Sequence, residues 1–594
     1  MREEGAVANR FGQHWRLFVI LFWVAAAILL LRDRWNLIQW FGLGDTDDNL
    51  RMSQVRALIA GQDWFDLRQY KLNPPFGANV HWSRIIDLPI AAIMLGLKPF
   101  MSGAMAEKVA VALAPMLPMM VAFFAVGAAM RRLISPNAFA LAIGLLLCAH
   151  SSRGMWFPLR IDHHGWQLAA LSLAMLSFTL RSPKRGGLLL GAATALSLSI
   201  GLEMLVYLAA AGVAVVLMWV RDRDEAPRLF SYGVSLAGGC TLGYLLFASN
   251  DNRVPVCDAL SPVWLSTLAG AGAVAVLLSM LKAERWMVRL GAAAVGGVLI
   301  AGFYALAWPH CTSRLEGVSP ELDYLWLSRV REALPIYKHD RGVLAAVLAL
   351  PVPGLIGYAV ALWRTRGDPE QMTPWAALAA LSLFATALLF WQTRAGPAAQ
   401  LLSIPGATAL AWIAIARAQQ EQAMLVRVAA TVVAFFVISG LAIQNVVNLL
   451  PKEEEKKNDK RVDQANNKCP TLAGLKPIAL QKPGYVFTHV DLGPRLITVT
   501  DHKAVAGPYH RNQQDIVDVM KGFRGTPEYA HGIVQRRGID YVLICPGMSE
   551  TTIYASEAPK GFYAQLAAGK VPAWLSPVTL PRNSPYKMWR VIKR

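Results

Sequence analysis

Apolar positions along the chain do not alternate with polar ones. They gather into runs of roughly 17 to 25 residues, the length a helix needs to cross about 30 Å of hydrocarbon, and charged stretches separate the runs. The pattern predicts thirteen spans, near 17–31, 109–130, 136–150, 165–181, 186–200, 202–220, 229–248, 262–281, 290–308, 342–363, 373–391, 400–416 and 426–449. The apolar stretch 85–100 is short and is interrupted by Asp87, Pro89, Lys98 and Pro99, which reads as a re-entrant or interfacial helix rather than a span. From 451 to 468 the sequence is a polar linker. Beyond it hydropathy falls and short strand-like runs follow at Tyr485–Phe487, Leu496–Val499 and Tyr541–Ile544, the signature of a small α/β domain over 469–594.

Composition agrees with a bilayer protein. Hydrophobic residues make up 55% of the 594 and charged residues only 16%, against about 25% charged in an average soluble domain. The net charge of +19 would suit nucleic acid, but the basic residues fall in short connections between spans: Arg131 and Arg132, Arg181 to Arg185, Arg221 to Arg228, Lys282 to Arg289, Arg364 and Arg366. The positive-inside rule accounts for them and no nucleic-acid partner is implied. Arg2, Arg10 and Arg16 ahead of the first run make it an uncleaved signal anchor with a cytoplasmic N-terminus. Thirteen spans then put the C-terminal domain outside, together with the connections 32–108, 151–164, 249–261 and 309–341. This is the topology of a multi-pass protein of a bacterial inner membrane, its transmembrane part running over 1–450. Cys257 and Cys311 fall in external loops, and Cys469 and Cys545 in the tail. Pairing within each set and four free or buried thiols are both open readings.

The external loops concentrate acids at the membrane surface, where a charge must be solvated, paired or metal-bound. Gly44-Asp45-Thr46-Asp47-Asp48-Asn49-Leu50-Arg51 follows the first span, and its three carboxylates invite a divalent cation. Arg160-Ile161-Asp162-His163-His164-Gly165 precedes another span; in an extended segment Asp162 and His164 face the same way and suit one ion, although Asp162 also suits a plain helix N-cap. The loop 309–340 carries Glu316, Glu321, Asp323, Glu332 and His339. Arg394, at the outer end of a span, suits a phosphate, or equally an interfacial arginine that snorkels. Glu203 is the clearest acid at membrane depth and is the one hint of a transporter or flippase of lipid-linked saccharide, the alternative reading.

Taken together, these strings resemble the catalytic subunit of oligosaccharyltransferase, a membrane glycosyltransferase of GT-C type, over most of the chain. Asp45, Asn49 and Arg51 match its first-loop motif in spacing; Asp162, His163 and His164 match its second; Val330-Arg331-Glu332 with Pro335 partly matches its long-loop motif, with Glu332 as the carboxylate. The resemblance departs in the tail, where a motif with two tryptophans that reads the acceptor is replaced by His489-Val490-Asp491-Leu492-Gly493.

The resemblance implies a GT-C fold of about thirteen transmembrane helices with a C-terminal periplasmic α/β domain. It implies transfer of a sugar or oligosaccharide from a polyprenyl-phosphate or pyrophosphate carrier to a glycan, lipid or protein acceptor at the periplasmic face, the carrier's tail staying among the membrane lipids. Asp45, Asp162, His164 and Glu332 would hold Mg²⁺ or Mn²⁺, with Asp45 or Asp47 as general base and Arg394 on the donor phosphate. His489, Asp491 and Gly493 would face the acceptor. The segment 61–84, ending His81-Trp82-Ser83-Arg84, would close over the donor together with the loop 309–340.

Overall fold

A computed structural model of the chain describes residues 11–313, 315, 317–450 and 457–593. Arg2, Arg10, Glu316 and the first third of the 451–468 linker lie outside the described residues.

Each of the thirteen apolar runs is helical. Eight helices are long and apolar enough to cross a membrane: Trp15–Asp33, Gly103–Leu133, Arg223–Phe247, Pro262–Ser279, Trp286–Ala307, Arg341–Thr365, Pro369–Leu388 and Thr393–Ala418. A ninth is the pair Met424–Ile438 and Leu441–Leu449, bent by 77°. The break falls at Gly440, whose φ of +79° is left-handed backbone that suits glycine. Four further runs are shorter or more polar: Ala138–Cys148, His164–Ser177, Pro183–Ile200 and Leu205–Arg221. The helices share one core that runs from Val19 through Phe123, Phe139 and Trp219 to Tyr358 and Leu402. Packing is close where glycines allow it: a Cβ on Gly357 would sit 1.8 Å from the Gly406 carbonyl oxygen, and one on Gly406 would sit 2.0 Å from that of Gly354. The 85–100 stretch forms a 3₁₀ turn, Arg84–Ile86, and an eleven-residue helix, Asp87–Leu97.

The tail carries a five-stranded sheet in the order β2-β1-β3-β5-β4. The strands are β1 (Tyr485–Phe487), β2 (Lys503–Ala504), β3 (Tyr541–Ile544), β4 (Leu575–Pro577) and β5 (Lys587–Val591). β1 runs parallel to β2 and β3, with Val486 opposite Tyr541, and β3 and β5 pair antiparallel with Val542 opposite Trp589. β1 and β3 are buried along their whole length, as central strands covered on both faces should be.

Two expectations are corrected here. Leu496–Val499 is not a strand but the end of the helix Gly493–Val499, because Pro494 pre-sets the first helical turn and Leu496 and Ile497 bury on one side of it. The second part of the polar linker, Lys457–Lys468, is also a helix.

The soluble domain does not hang from a tether. Leu50, Leu67, Leu72, Val80 and Trp82 of the segment 32–108 share a buried core with Val486, Leu492, Leu496, Leu543 and Met588. That segment is no simple loop either: it is built on the helix Thr46–Ile59, which lies against Gly493–Val499. Ser53 and Thr498 hydroxyls meet at 2.8 Å, and Arg495 donates to the Asn49 side chain at 3.1 Å. Cys257 is joined to Cys311, and Cys469 to Cys545.

Candidate active site

The helix Thr46–Ile59 begins at the site. Asp45 is its N-cap, with Oδ1 accepting the Asp47 N–H at 3.1 Å, so the first acidic run is a helix start and the acids gather where the helix dipole is positive. Asp48, one turn in, is fully buried and ties two segments together: its Oδ1 accepts the backbone N–H groups of Ile161 at 2.8 Å and of Asp162 at 3.0 Å. Its other oxygen is buried without a hydrogen-bond partner. Arg160 spans the group. One guanidinium nitrogen donates to Asp45 at 2.5 Å and lies 3.6 Å from Asp48, while the second bonds Asp162.

Asp162 Oδ1 accepts the His164 N–H at 3.1 Å just ahead of the helix His164–Ser177, whose N-cap is His163, while its other oxygen bonds Arg160. Burial alone would raise Asp162, but Arg160, His164 and His163 outweigh it and hold its carboxyl below the usual range. Burial, opposed by Arg160 and reinforced by Asp162, Asp45 and Asp47, holds Asp48 well above that range. Desolvation, then the Asp45 and Asp162 charges, push Asp47 up to about 7.

Other expected residues sit around this centre in different roles. Asn49 is buried and donates to the Leu43 and Asp45 carbonyls. Arg51 is buried against Asp87 at 2.8 Å and lies over the Trp82 ring at 4.8 Å. Arg84 shares Asp87 at 3.4 Å and donates to the carbonyls of Trp64 and Asp66. These three frame the segment rather than face the centre. Glu332 does not join the carboxylate group directly; it pairs with Arg394 at 3.2 Å on the exposed rim, where its charge still helps to raise His164.

Of the three acceptor-side residues, only Asp491 is open to solvent. Desolvation and then the Asp45 carboxylate push it up to about 6. His489 is wholly buried, accepts the Cys545 N–H at 3.1 Å, and is driven down to about 3 by burial. Gly493 is a packing position: a Cβ there would stand 1.9 Å from the Ala506 carbonyl oxygen. Neither faces an acceptor.

Sequence reasoning left Arg160 without a role and took Asp48 only as one of three carboxylates inviting a cation, not as a tie to the backbone at 161–162. It also read Glu203 as a membrane-depth acid. Glu203 lies in the turn between the helices Pro183–Ile200 and Leu205–Arg221, where it accepts from His163 at 2.8 Å, His81 at 3.3 Å and Gln167 at 2.5 Å. That is a bonded loop acid, and the hint of a transport pathway goes with it. Beyond His81 lies a second group that the sequence did not signal, Asp258 with His510 and Arg511. Asp258 accepts from His510 at 2.6 Å and from Arg511 at 2.6 and 2.8 Å.

A helical bundle with a carboxylate centre at one end, under an α/β domain that shares its core, is a fold this chain shares with solved oligosaccharyltransferase structures. Archaeal structures are among those it resembles. The Archaeoglobus fulgidus oligosaccharyltransferase AglB, solved with an inhibitory peptide and a dolichol-phosphate, aligns over 90% of this chain and 70% of its own, with a TM-score of 0.65 and 14% identity. The apo form of the A. fulgidus enzyme aligns over the same shares with a TM-score of 0.63 and 18% identity, and a complex with Zn and sulfate aligns over 92% and 70%, with 0.60 and 15%. At these identities the likeness is one of fold. No family model matches the sequence, and no curated protein does.

Proposed function

We propose that the chain is a membrane glycosyltransferase that moves a sugar or oligosaccharide from a polyprenyl-phosphate or pyrophosphate carrier to an acceptor at the periplasmic face of a bacterial inner membrane. One observation carries the reading. Two chain segments more than a hundred residues apart deliver Asp45, Asp47, Asp48 and Asp162 to a single point, with one arginine between them and one buried carboxylate oxygen unbonded. Such crowding of like charge is costly and is retained where a cation or a reaction needs it.

The carboxylates of Asp45, Asp48 and Asp162 and the His164 imidazole are donor types that Mg²⁺ or Mn²⁺ takes, and Arg160 stands between Asp45 and Asp162 where the ion would bind. Asp45 and Asp162 would hold it, with His164 at the side, while Glu332 stays on the rim with Arg394. Bound there, the ion would act as a Lewis acid on the carrier phosphate and neutralise charge as the sugar leaves. Arg160 meanwhile keeps the two carboxylates at a fixed separation. Asp47, half-buried and raised to about 7, is suited to take the proton of the attacking acceptor group. Arg394 offers a guanidinium for donor phosphate at the rim, where Glu332 holds it.

The acceptor would approach beside Asp491, the exposed residue of the tail motif. The solved A. fulgidus structures with dolichol-phosphate and with an acceptor peptide support a lipid-linked donor and an acceptor for this fold. The donor would be a polyprenyl-linked sugar, and the acceptor a glycan, a lipid or a protein.

The test is transfer of label from a total polyprenyl-linked sugar pool in native membranes, comparing wild type with Asp45→Ala and Asp162→Ala, with and without EDTA. Label moving into the lipid, glycan or protein fraction only with intact carboxylates and metal is the expected result. Equal transfer by the variants in the presence of chelator overturns the assignment.

A further inference from the structure

The second group beside the active centre has metal-ligand chemistry that glycosyl transfer does not use. His81 ends the first external segment, Asp258 lies in the connection 249–261, and His510 belongs to the soluble domain. One ligand atom from each lies within 4.8 Å of the others, all three half-buried. The His81 and His510 rings stand 5.0 Å apart between centroids, and the Asp258 carboxylate bonds His510 at 2.6 Å.

Arg511 holds both oxygens of Asp258, at 2.6 and 2.8 Å, and is itself fixed by Asn252 at 2.7 Å and Asn79 at 3.1 Å. A carboxylate offers about four lone-pair sites, so Arg511 orients Asp258 and still leaves it free to ligate. Two imidazoles and one carboxylate, with a side open to solvent, are the donor set of a three-ligand zinc site. Ligand atoms about 2.0–2.1 Å from a tetrahedral ion stand roughly 3.3 Å apart, so side-chain rotations alone bring this group to that spacing.

We propose that His81, Asp258 and His510 form a second metal site that takes a zinc ion, replacing the His510–Asp258 hydrogen bond and clamping the soluble domain to two external segments. The site shares no ligand with the Asp45–Asp162 centre, which it adjoins through the His81–Glu203–His163 contacts, and it does not rest on any transfer activity.

The full-length protein, purified in detergent and stripped of metal, is titrated with Co²⁺, whose visible absorption is intense in a four-coordinate site and weak in a six-coordinate oxygen site. One equivalent is expected to give the intense spectrum in wild type and in the double variant Asp45→Asn/Asp162→Asn, and none in Asp258→Asn. His510→Cys is expected to add a thiolate-to-cobalt charge-transfer band, a gain of signal that a misfolded variant does not produce. Absence of the intense spectrum in wild type overturns the proposal. So does its survival in Asp258→Asn, or cobalt bound by His510→Cys without the new band.

Discussion

At the scale of single residues the site turns on Asp48 and Arg160. Asp48 sews the first acidic run to the backbone at 161–162, and Arg160 bonds both Asp45 and Asp162. Replacing it in Arg160→Met leaves buried carboxylates uncompensated, so a bound cation should matter more. Saturating Mn²⁺ at about 100 times its Kd adds about 2.7 kcal/mol of stability. The apparent melting temperature of Arg160→Met should therefore be lower than wild type without metal and should rise further when Mn²⁺ is added; equal shifts in the two proteins would count against a cation at this point. Glu550 makes a second residue-scale test. Buried, it accepts the Val490 and Asp491 N–H groups at 2.9 Å each, and desolvation followed by the Asp491 charge pushes it up to about 8. Between its ordinary 4.5 and 8 the folded chain keeps a proton that the unfolded chain has released, so stability falls as pH rises through that window, by up to about 1.4 kcal/mol per pH unit. Melting curves of Glu550→Gln against pH should be flatter than wild type there, and parallel curves would refute the assignment. The ligand-type residues Asp45, Asp162 and His164 were legible because their spacing on loops is unusual. Asp48 and Arg160 were hidden because a residue's burial and its partners across the fold are not written in local spacing.

At the scale of elements, the helix Thr46–Ile59 and the helix Gly493–Val499 decide how the soluble domain meets the membrane part. Gly493 allows the second helix to start directly beneath the Ala506 carbonyl. Gly493→Ala should cost about 1–3 kcal/mol by overpacking, seen as a lower melting temperature, whereas Asp491→Asn, on an open side chain, should not lower it. If Gly493→Ala melts with wild type, the close packing assigned to this junction is wrong. The strands Tyr485–Phe487 and Tyr541–Ile544 could be read from their apolar runs, since fully buried strands are apolar on both faces. Leu496–Val499 carries the same β-branched composition but follows Gly-Pro, and tertiary contact with the helix Thr46–Ile59 decides for helix. The first external segment reads as loop for a related reason: the helix Thr46–Ile59 is polar on average and is stabilised by partners distant in sequence.

At the scale of the molecule, the two disulfides belong with the carboxylate centre. Cys257–Cys311 joins two loops beside Asp258, and Cys469–Cys545 closes the soluble domain over a separation of 76 residues, a loop whose closure is worth about 4 kcal/mol. On the proposed topology both lie in an oxidising compartment. A membrane-impermeant thiol reagent applied to intact spheroplasts after mild reduction should label Cys257, the half-buried partner of Cys311, and labelling only after lysis would invert the topology. The number of helical runs was legible because hydropathy alone sets it. The docking of the domain on the bundle was not, because a shared core is assembled from short apolar patches scattered over 50–82 and 486–588. Transfer consumes its donor, while a flippase returns it intact. The most direct measurement is therefore release of free polyprenyl phosphate or pyrophosphate by mass spectrometry, using purified protein with a native lipid extract and Mn²⁺. Carrier release by wild type and at least about a 10–100-fold loss in Asp162→Asn is the predicted result; an unchanged donor pool in every native extract tried, or equal release by both proteins, would contradict it.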